Sequence, residues 1–400
     1  MYKLAILTSH PIQYQAPFFR KLAAVPQIDL IVIFRKKNRE NYFDEGFGRK
    51  VVWDLPLLDG YSSIFLKNPW SINSVLRKKK VEILIVYGWN SFTNWWAVLS
   101  ALQLNIPFFV YGENPLQQEF VKTGPPEQLR RWFLQTLFKK AAGCFYIGKE
   151  NKKFYEHFGV PERKLFSMPY SVDNERFFRE ATRNKRPAFA PSFAKGYGGQ
   201  GKAAAGKQKT RRGLGILENA VVILFVGKLI PKKRPLDLLE AYKSLNSSAL
   251  ALVFVGDGTL RNELEEYCKE HNLKNVHFVG FKNQTELSDY YAVADIFVLP
   301  SGAGETWGLV VNEAMCFGLP VVVSSVVGCG PDLIHEGKNG YIFQVGDVRA
   351  LSGYLALLIK NKSTRRNFGV ESLKIIRNYN YEKDLEGMSE AFRRIGLLGI

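Results

Sequence analysis

The chain has 400 residues, more than one hydrophobic core usually fills, and at roughly 100 to 200 residues per domain this length predicts two to three domains. With 46% hydrophobic and 23% charged residues, its composition excludes a wholly disordered or fibrous protein. The 55 basic residues exceed the 37 acidic ones by 18, which points to an anionic partner.

The first apolar run, Leu4 to Leu7, is shorter than the ~7 to 15 residue core of a signal peptide. No later run approaches the ~18 residues of a spanning helix, so a soluble, cytoplasmic chain is expected. In the first half, β-branched apolar runs predict strands over 3–8, 29–34, 81–86, 107–111 and 143–147. In the second half strands are predicted over 221–226, 250–255, 276–280, 296–300 and 320–324, separated by helical spacing over 235–246, 260–271, 284–293 and 309–317. This alternation is the pattern of βαβ units around parallel sheets, and two Rossmann-like α/β domains are the simplest architecture. The expected divisions are 1–178, 179–213, 214–378 and 379–400.

Within the second division, 183–213 is rich in Gly, Ala, Lys and Pro and reads as a flexible linker or surface insertion. The alternative is a basic arm for nucleic acid, with Phe189, Phe193 and Tyr197 available to stack. Charge is unevenly spread: residues 1–178 carry 25 basic and 15 acidic residues, 179–213 carry 10 and 1, and 214–400 carry 20 and 21. An excess confined to the first part and one short segment suggests a face that meets a membrane surface or a nucleic acid. Cys144, Cys268, Cys316 and Cys329 form no C-x-x-C pair and are expected as buried free thiols.

Chemistry concentrates between Asp295 and Asp347, where a strand ends at Pro300, a Gly-rich turn follows, and Thr306 stands where it would cap a helix running to about Phe317. A helix that begins at the carboxyl end of a parallel strand favours phosphate, so an anion is expected at 304–308. Glu305 lies in the turn and Glu313 two helical turns on; carboxylates beside a phosphate site suit neutral hydroxyls, as on a sugar or ribose. Upstream, Gly227-Lys228-Leu229-Ile230-Pro231-Lys232-Lys233-Arg234 follows another strand, and its lysines suit a diphosphate leaving group without a metal. Gly256-Asp257-Gly258, after a third strand, permits close backbone approach. Each feature has an ordinary counterpart in a helix glutamate, a solvated lysine turn or a common glycine turn.

In order and spacing, GKLIPKKRPLDLLEAY, VFVGDGTLRNELEEY and GETWGLVVNEAMCFGLPVVVSS resemble the donor half of the retaining family 4 glycosyltransferases, which have the GT-B fold of two Rossmann-like domains facing across a cleft. The resemblance is strongest over 220–347, and Ser171 to Phe177 is similar to the segment by which such enzymes leave their first domain. It implies that 1–178 binds the acceptor, that 214–378 binds a nucleotide sugar, and that 379–400 crosses back as a helix. It further implies that Glu313 holds the ribose, Glu305 contacts the donor sugar and serves catalysis, and Lys228 and Lys233 grip the diphosphate. Gly227, Gly256, Gly304, Thr306 and Trp307 would line the donor pocket. Lys228 stands where the family more often has arginine, so a bidentate grip becomes a point charge.

The first domain departs from the pattern. Its first loop, Thr8-Ser9-His10-Pro11-Ile12-Gln13, has no glycine, and Glu113 stands where relatives often place a histidine. There a carboxylate would stabilise positive charge or accept a proton; the alternative is a strand-end surface residue. No Asp-x-Asp triplet occurs and the five histidines show no ligand spacing, so neither a metal nor a cofactor is expected. The resemblance implies a front-face displacement with retention at the sugar.

The stretch Arg130 to Lys140 mixes cations with Trp132 and Phe133, as interfacial helices do, and Trp70, Arg77 to Lys80, Trp95 and Trp96 extend it. The expected partners are a nucleotide sugar, a glycan or lipid-linked acceptor and an anionic membrane surface, in cell-envelope polysaccharide or glycolipid synthesis. The alternatives are a nucleotide-sugar 2-epimerase, a glycan phosphorylase, a noncatalytic nucleotide-sugar binder and a nucleic-acid binder.

Overall fold

The computed structural model describes residues 1–35, 43–44, 46–120, 127–183, 203–245 and 249–397. The chain separates into two compact units: 1–40, 55–171 and 380–400 in the first, and 41–54 and 172–379 in the second.

The first unit is built on a seven-stranded parallel sheet. Its spatial order is Ser62–Phe65, Ile28–Phe34, Tyr2–Thr8, Ile83–Tyr87, Phe108–Tyr111, Gly143–Tyr146 and Leu165–Ser167. The inner strands are apolar on both faces, Leu4 to Leu7 and Ile83 to Ile85 being fully buried, as a parallel sheet covered by helices on both sides requires. The terminal helix Tyr381–Arg394 belongs to this unit. Phe392 packs 5.7 Å from Phe109, and Gly387 lies so close to the Ser167 carbonyl that any side chain there would collide with it.

The second unit has a six-stranded parallel sheet in the order Val276–Phe278, Leu250–Val255, Val221–Val226, Ile296–Leu299, Val321–Ser324 and Gly340–Phe343. Val221 pairs with Leu250 and Leu224 with Phe297, so three strand ends emerge on one edge. Helices Pro235–Leu245, Arg261–Glu270, Gln284–Val293 and Leu309–Cys316 fill the connections. Gln284–Val293 opens on a capping box in which Asn283 and Glu286 cap each other's backbone.

Two features differ from expectation. The stretch read as a linker contains a helix, Ala203–Gly213, which packs on Gln284–Val293. Its buried Arg211 donates to the Leu217 and Ala220 carbonyls. Alanine, lysine and arginine are strong helix formers, and a partner surface was enough to order them. The rest of that stretch, with Phe189, Phe193 and Tyr197, lies outside the described residues. In addition, residues 41–54, although early in sequence, belong to the second unit.

Candidate functional site

In the second unit, loops at the ends of neighbouring strands interlock. Gly227 N donates to Val255 O, Leu229 N to Asp257 O and Gly256 N to Gly280 O, each at 2.9 Å. Gly256 has a φ of 136° and presses on the Gly227 carbonyl, and Gly258 presses on that of Leu229; only glycine fits either place. The chain then makes one turn of 3-10 helix, Pro231–Lys233, and reverses at Arg234 with φ 48°. Arg234 Nε donates to Asp237 Oδ2 at 2.6 Å.

This turn carries Lys233 to Glu305. The two form an ion pair, and Ser301 Oγ donates to the same carboxylate oxygen at 3.0 Å. Glu305 is only 8% exposed, so the pair is largely withdrawn from water and each charge depends on the other. Backbone bonds fix the loops: Gly302 N donates to Lys232 O at 2.7 Å, Gly328 N to Glu305 O at 3.2 Å and Cys329 N to Trp307 O at 3.0 Å. Gly304, with φ 94°, takes the left-handed backbone that favours glycine, beside the Lys232 stem.

Thr306 does not cap the following helix. Leu309–Cys316 starts from Gly308, which has φ 97° and offers no side-chain cap. A Cβ on Gly308 would approach Leu299 Cδ2 to 2.9 Å, and the helix begins at Leu309, as its apolar spacing predicted. Trp307 turns into the core, 2% exposed, its indole N–H donating to Asn312 Oδ1 at 2.9 Å. Glu313 is fully buried, and Tyr291 OH donates to its Oε2 at 2.6 Å. Lys228 Nζ donates to both oxygens of Asp44, at 2.6 and 2.9 Å, and lies 4.8 Å from the Phe47 ring centre. Lys233, Glu305, Gly304 and the start of the helix are thus brought together, and Lys228 stands on the neighbouring loop with a carboxylate partner that sequence reasoning missed.

The first unit holds a second constellation. Glu113, at the end of Phe108–Tyr111, accepts from Tyr170 OH at 2.9 Å. Burial pushes its carboxyl up from the ordinary glutamate range, and the Tyr170 hydrogen bond opposes that shift. Gly112 is packed against the Trp89 ring and the Tyr155 hydroxyl. Tyr87 and Tyr111 stack at 4.4 Å. Their hydroxyls are held well up by burial, with added repulsion from Glu113 and Asp384. Asp384, on the terminal helix and 4% exposed, is itself pushed well above the carboxylate range by burial. Neither Tyr170 nor Asp384 carries a sequence signal. In the first loop, Ser9 Oγ lies 2.9 Å from His10 Nδ1, and Thr8 Oγ1 donates to Gln15 Oε1 at 3.3 Å.

The same unit exposes a broad aromatic face. Trp70 meets Trp96 at 4.7 Å and Phe92 at 5.0 Å, and Trp95 meets Phe133, which contacts Trp132. Trp70, Phe92, Leu99, Trp132 and Phe133 are all exposed, and so are Arg77 to Lys80, Arg131, Lys139 and Lys140. Among the described residues, no helix is long and apolar enough to cross a membrane.

Residues 206–374 match the family model described as Glycosyl transferases group 1. The chain is similar to the UDP-Gal:alpha-D-GlcNAc-diphosphoundecaprenol alpha-1,3-galactosyltransferase of Escherichia coli, 26% identical over 333 residues that span 80% of this chain and 79% of that one. It is 36% identical over 163 residues to a sulfoquinovosyl transferase of Arabidopsis thaliana, spanning 40% of this chain and 31% of the relative. Among solved structures, Anabaena HepE in complex with UDP and glucose superposes with a TM-score of 0.71 at 16% identity, over 96% of this chain and 98% of HepE, a likeness of fold. Parallel strands with interlocked glycine loops and a strand-end helix are thus the frame of a GT-B fold, within which residues 206–374 match the glycosyl transferases group 1 model.

Proposed function

We propose that this chain is a retaining, metal-independent glycosyltransferase that moves a sugar from a nucleotide diphosphate to a hydroxyl of a glycan or lipid-linked acceptor. The observation that carries the proposal is the meeting of Lys233, Glu305 and the first turn of Leu309–Cys316 at the ends of parallel strands. Cations and helix N–H groups suit the charge that develops on a departing diphosphate, and they act without reorganising. In this scheme Lys233 exchanges its Glu305 partner for phosphate oxygens, and the released carboxylate accepts the donor sugar's hydroxyls. Lys228 supplies a second point charge. Glu313 serves the ribose, with Tyr291 holding its other oxygen.

On the acceptor side, Glu113 accepts the hydroxyl's proton or stabilises positive charge at the sugar, and its raised pKa brings it towards neutral pH, where such exchange is efficient. We place the acceptor in cell-envelope polysaccharide or glycolipid synthesis, with the chain working as a peripheral protein on an anionic, cytoplasm-facing membrane. The exposed aromatics flanked by lysine and arginine support this, because rings insert among headgroups while cations meet lipid phosphates.

The test is thermal stability with UDP, GDP, ADP and dTDP, starting with UDP because one similar protein is named for UDP-Gal and HepE was solved with UDP bound. One diphosphate is expected to raise the melting temperature by mass action. Glu313→Gln, which keeps the side-chain shape, is expected to lose that response. No response from any of the four at millimolar concentration would remove the donor site.

A further inference from the structure

The inference concerns Lys228 and rests on the donor-site proposal above. A carboxylate already sits on this lysine. Strands Phe43–Asp44 and Arg49–Lys50 pair antiparallel, Phe43 with Lys50 and Asp44 with Arg49, and their turn presents Asp44 to Lys228 Nζ at 2.6 and 2.9 Å. Gly46 lies flat on the lysine: a Cβ there would approach Lys228 Cδ to 2.7 Å and Nζ to 2.8 Å. The segment is also fastened further along. Asn283 Nδ2 donates to Val52 O at 2.7 Å and Thr285 N to Asp54 Oδ2 at 3.0 Å. The Phe281 ring meets Phe47 at 5.0 Å and Trp53 at 5.9 Å, both edge-on.

We propose that Asp44 is an internal anion that competes with the donor's diphosphate for Lys228 and thereby determines which ligands the nucleotide site accepts. Two negative groups sharing one ammonium repel each other, so a phosphate that engages Lys228 must displace the carboxylate. The aspartate is the less mobile partner, because its Oδ1 also accepts Gly46 N at 2.9 Å and Phe47 N at 3.1 Å, which pins it to its own turn. Lys228 hangs on a flexible four-carbon stem, so the lysine swings. Asp44 stays close behind and continues to repel. A diphosphate has the charge to win this exchange, a monophosphate has less, and an uncharged nucleoside gains nothing from it.

The experiment is calorimetric titration of the full chain with whichever of UDP, GDP, ADP or dTDP stabilises it, with the matching monophosphate, and with the nucleoside. Asp44→Asn keeps the oxygen that caps Gly46 and Phe47 and removes the charge; Asp44→Ser is the second variant should the first fail to fold. Removing the charge is expected to tighten the diphosphate about five- to tenfold, the monophosphate less and the nucleoside not at all. In a Lys228→Met background there is no lysine to compete for and only the direct repulsion remains, so the same change is expected to tighten the diphosphate less than in the native background. Diphosphate binding that is unchanged or weaker without the charge overturns the proposal alone, and so does an equal gain for the nucleoside. Failure of every diphosphate to bind both native and variant chains overturns the donor-site proposal and this one with it.

Discussion

Both units place a carboxylate at the carboxyl end of a parallel strand, yet they treat it in opposite ways. In the second unit Glu305 is matched by a cation, Lys233, and a hydroxyl, Ser301. In the first, Glu113 accepts from the neutral phenol of Tyr170, and burial raises its pKa. A carboxylate matched by a cation has a partner that an anionic ligand can take from it, whereas one held by a phenol with its pKa raised is suited to exchange a proton. In the proposed scheme one fold offers an anion-handling edge and a proton-handling edge from the same topological position.

The sharpest way to break this comparison is to remove the cation. Lys233→Met is expected to lower transferase activity by about 10²- to 10³-fold. It is also expected to cost about 3 kcal/mol of stability in urea, because the buried Glu305 loses its partner. Adding Glu305→Gln should recover the stability and leave the activity lost, which separates charge pairing from chemistry.

A second comparison uses the close backbone contacts. Gly256→Ala, where a methyl strikes the Gly227 carbonyl at φ 136°, is expected to cost about 3 kcal/mol. Gly387→Ala, which drives the terminal helix off Ser167, should cost a similar amount. Chemical denaturation measures both. Only the first should also weaken nucleotide binding in the variant that remains folded.

The proton-handling edge has a pH signature. Glu113 and Asp384 are raised above their ordinary values of 4.5 and 3.8. Their neutral forms therefore favour the folded state: this contribution is complete below the unfolded pKa values and is lost as pH rises through the folded ones. Asp384→Asn should flatten the fall in stability with rising pH, and Glu113→Gln should flatten it less. In Tyr170→Phe the opposing hydrogen bond is gone, so the Glu113 pKa rises further and the acid limb of the pH–rate profile moves to higher pH.

The smallest effect is expected at the aromatic face. Trp132→Ser and Leu99→Ser should each weaken binding to anionic vesicles about tenfold, with stability unchanged within about 0.5 kcal/mol. Equal loss on neutral vesicles would show that cations play no part.

The inner strands of both units and the four helices between the inner strands of the second were legible, because fully buried strands read as unbroken Val, Ile, Leu and Phe runs and helices as spaced apolar positions. Of the described strands that escaped, Ser62–Phe65, Leu165–Ser167 and Gly340–Phe343 lie at the edges of the two large sheets, and Phe43–Asp44 and Arg49–Lys50 form a separate two-stranded ribbon. Edge strands are short and lack the run of buried residues that announces an inner strand. Lys233 and Glu305 stood out since they sit in strand-end loops beside glycine turns, and Glu313 since it follows on the helix that the second of these loops leads into. What only the tertiary structure decided were partners distant in sequence: Asp44 on Lys228, 184 residues apart, and Tyr170 on Glu113, 57 apart. It also decided the burial of Asp384 and the inward turn of Trp307. Local periodicity encodes which face of an element seeks the core, whereas the choice of a distant polar partner depends on where several elements end together, and no spacing along the chain records that.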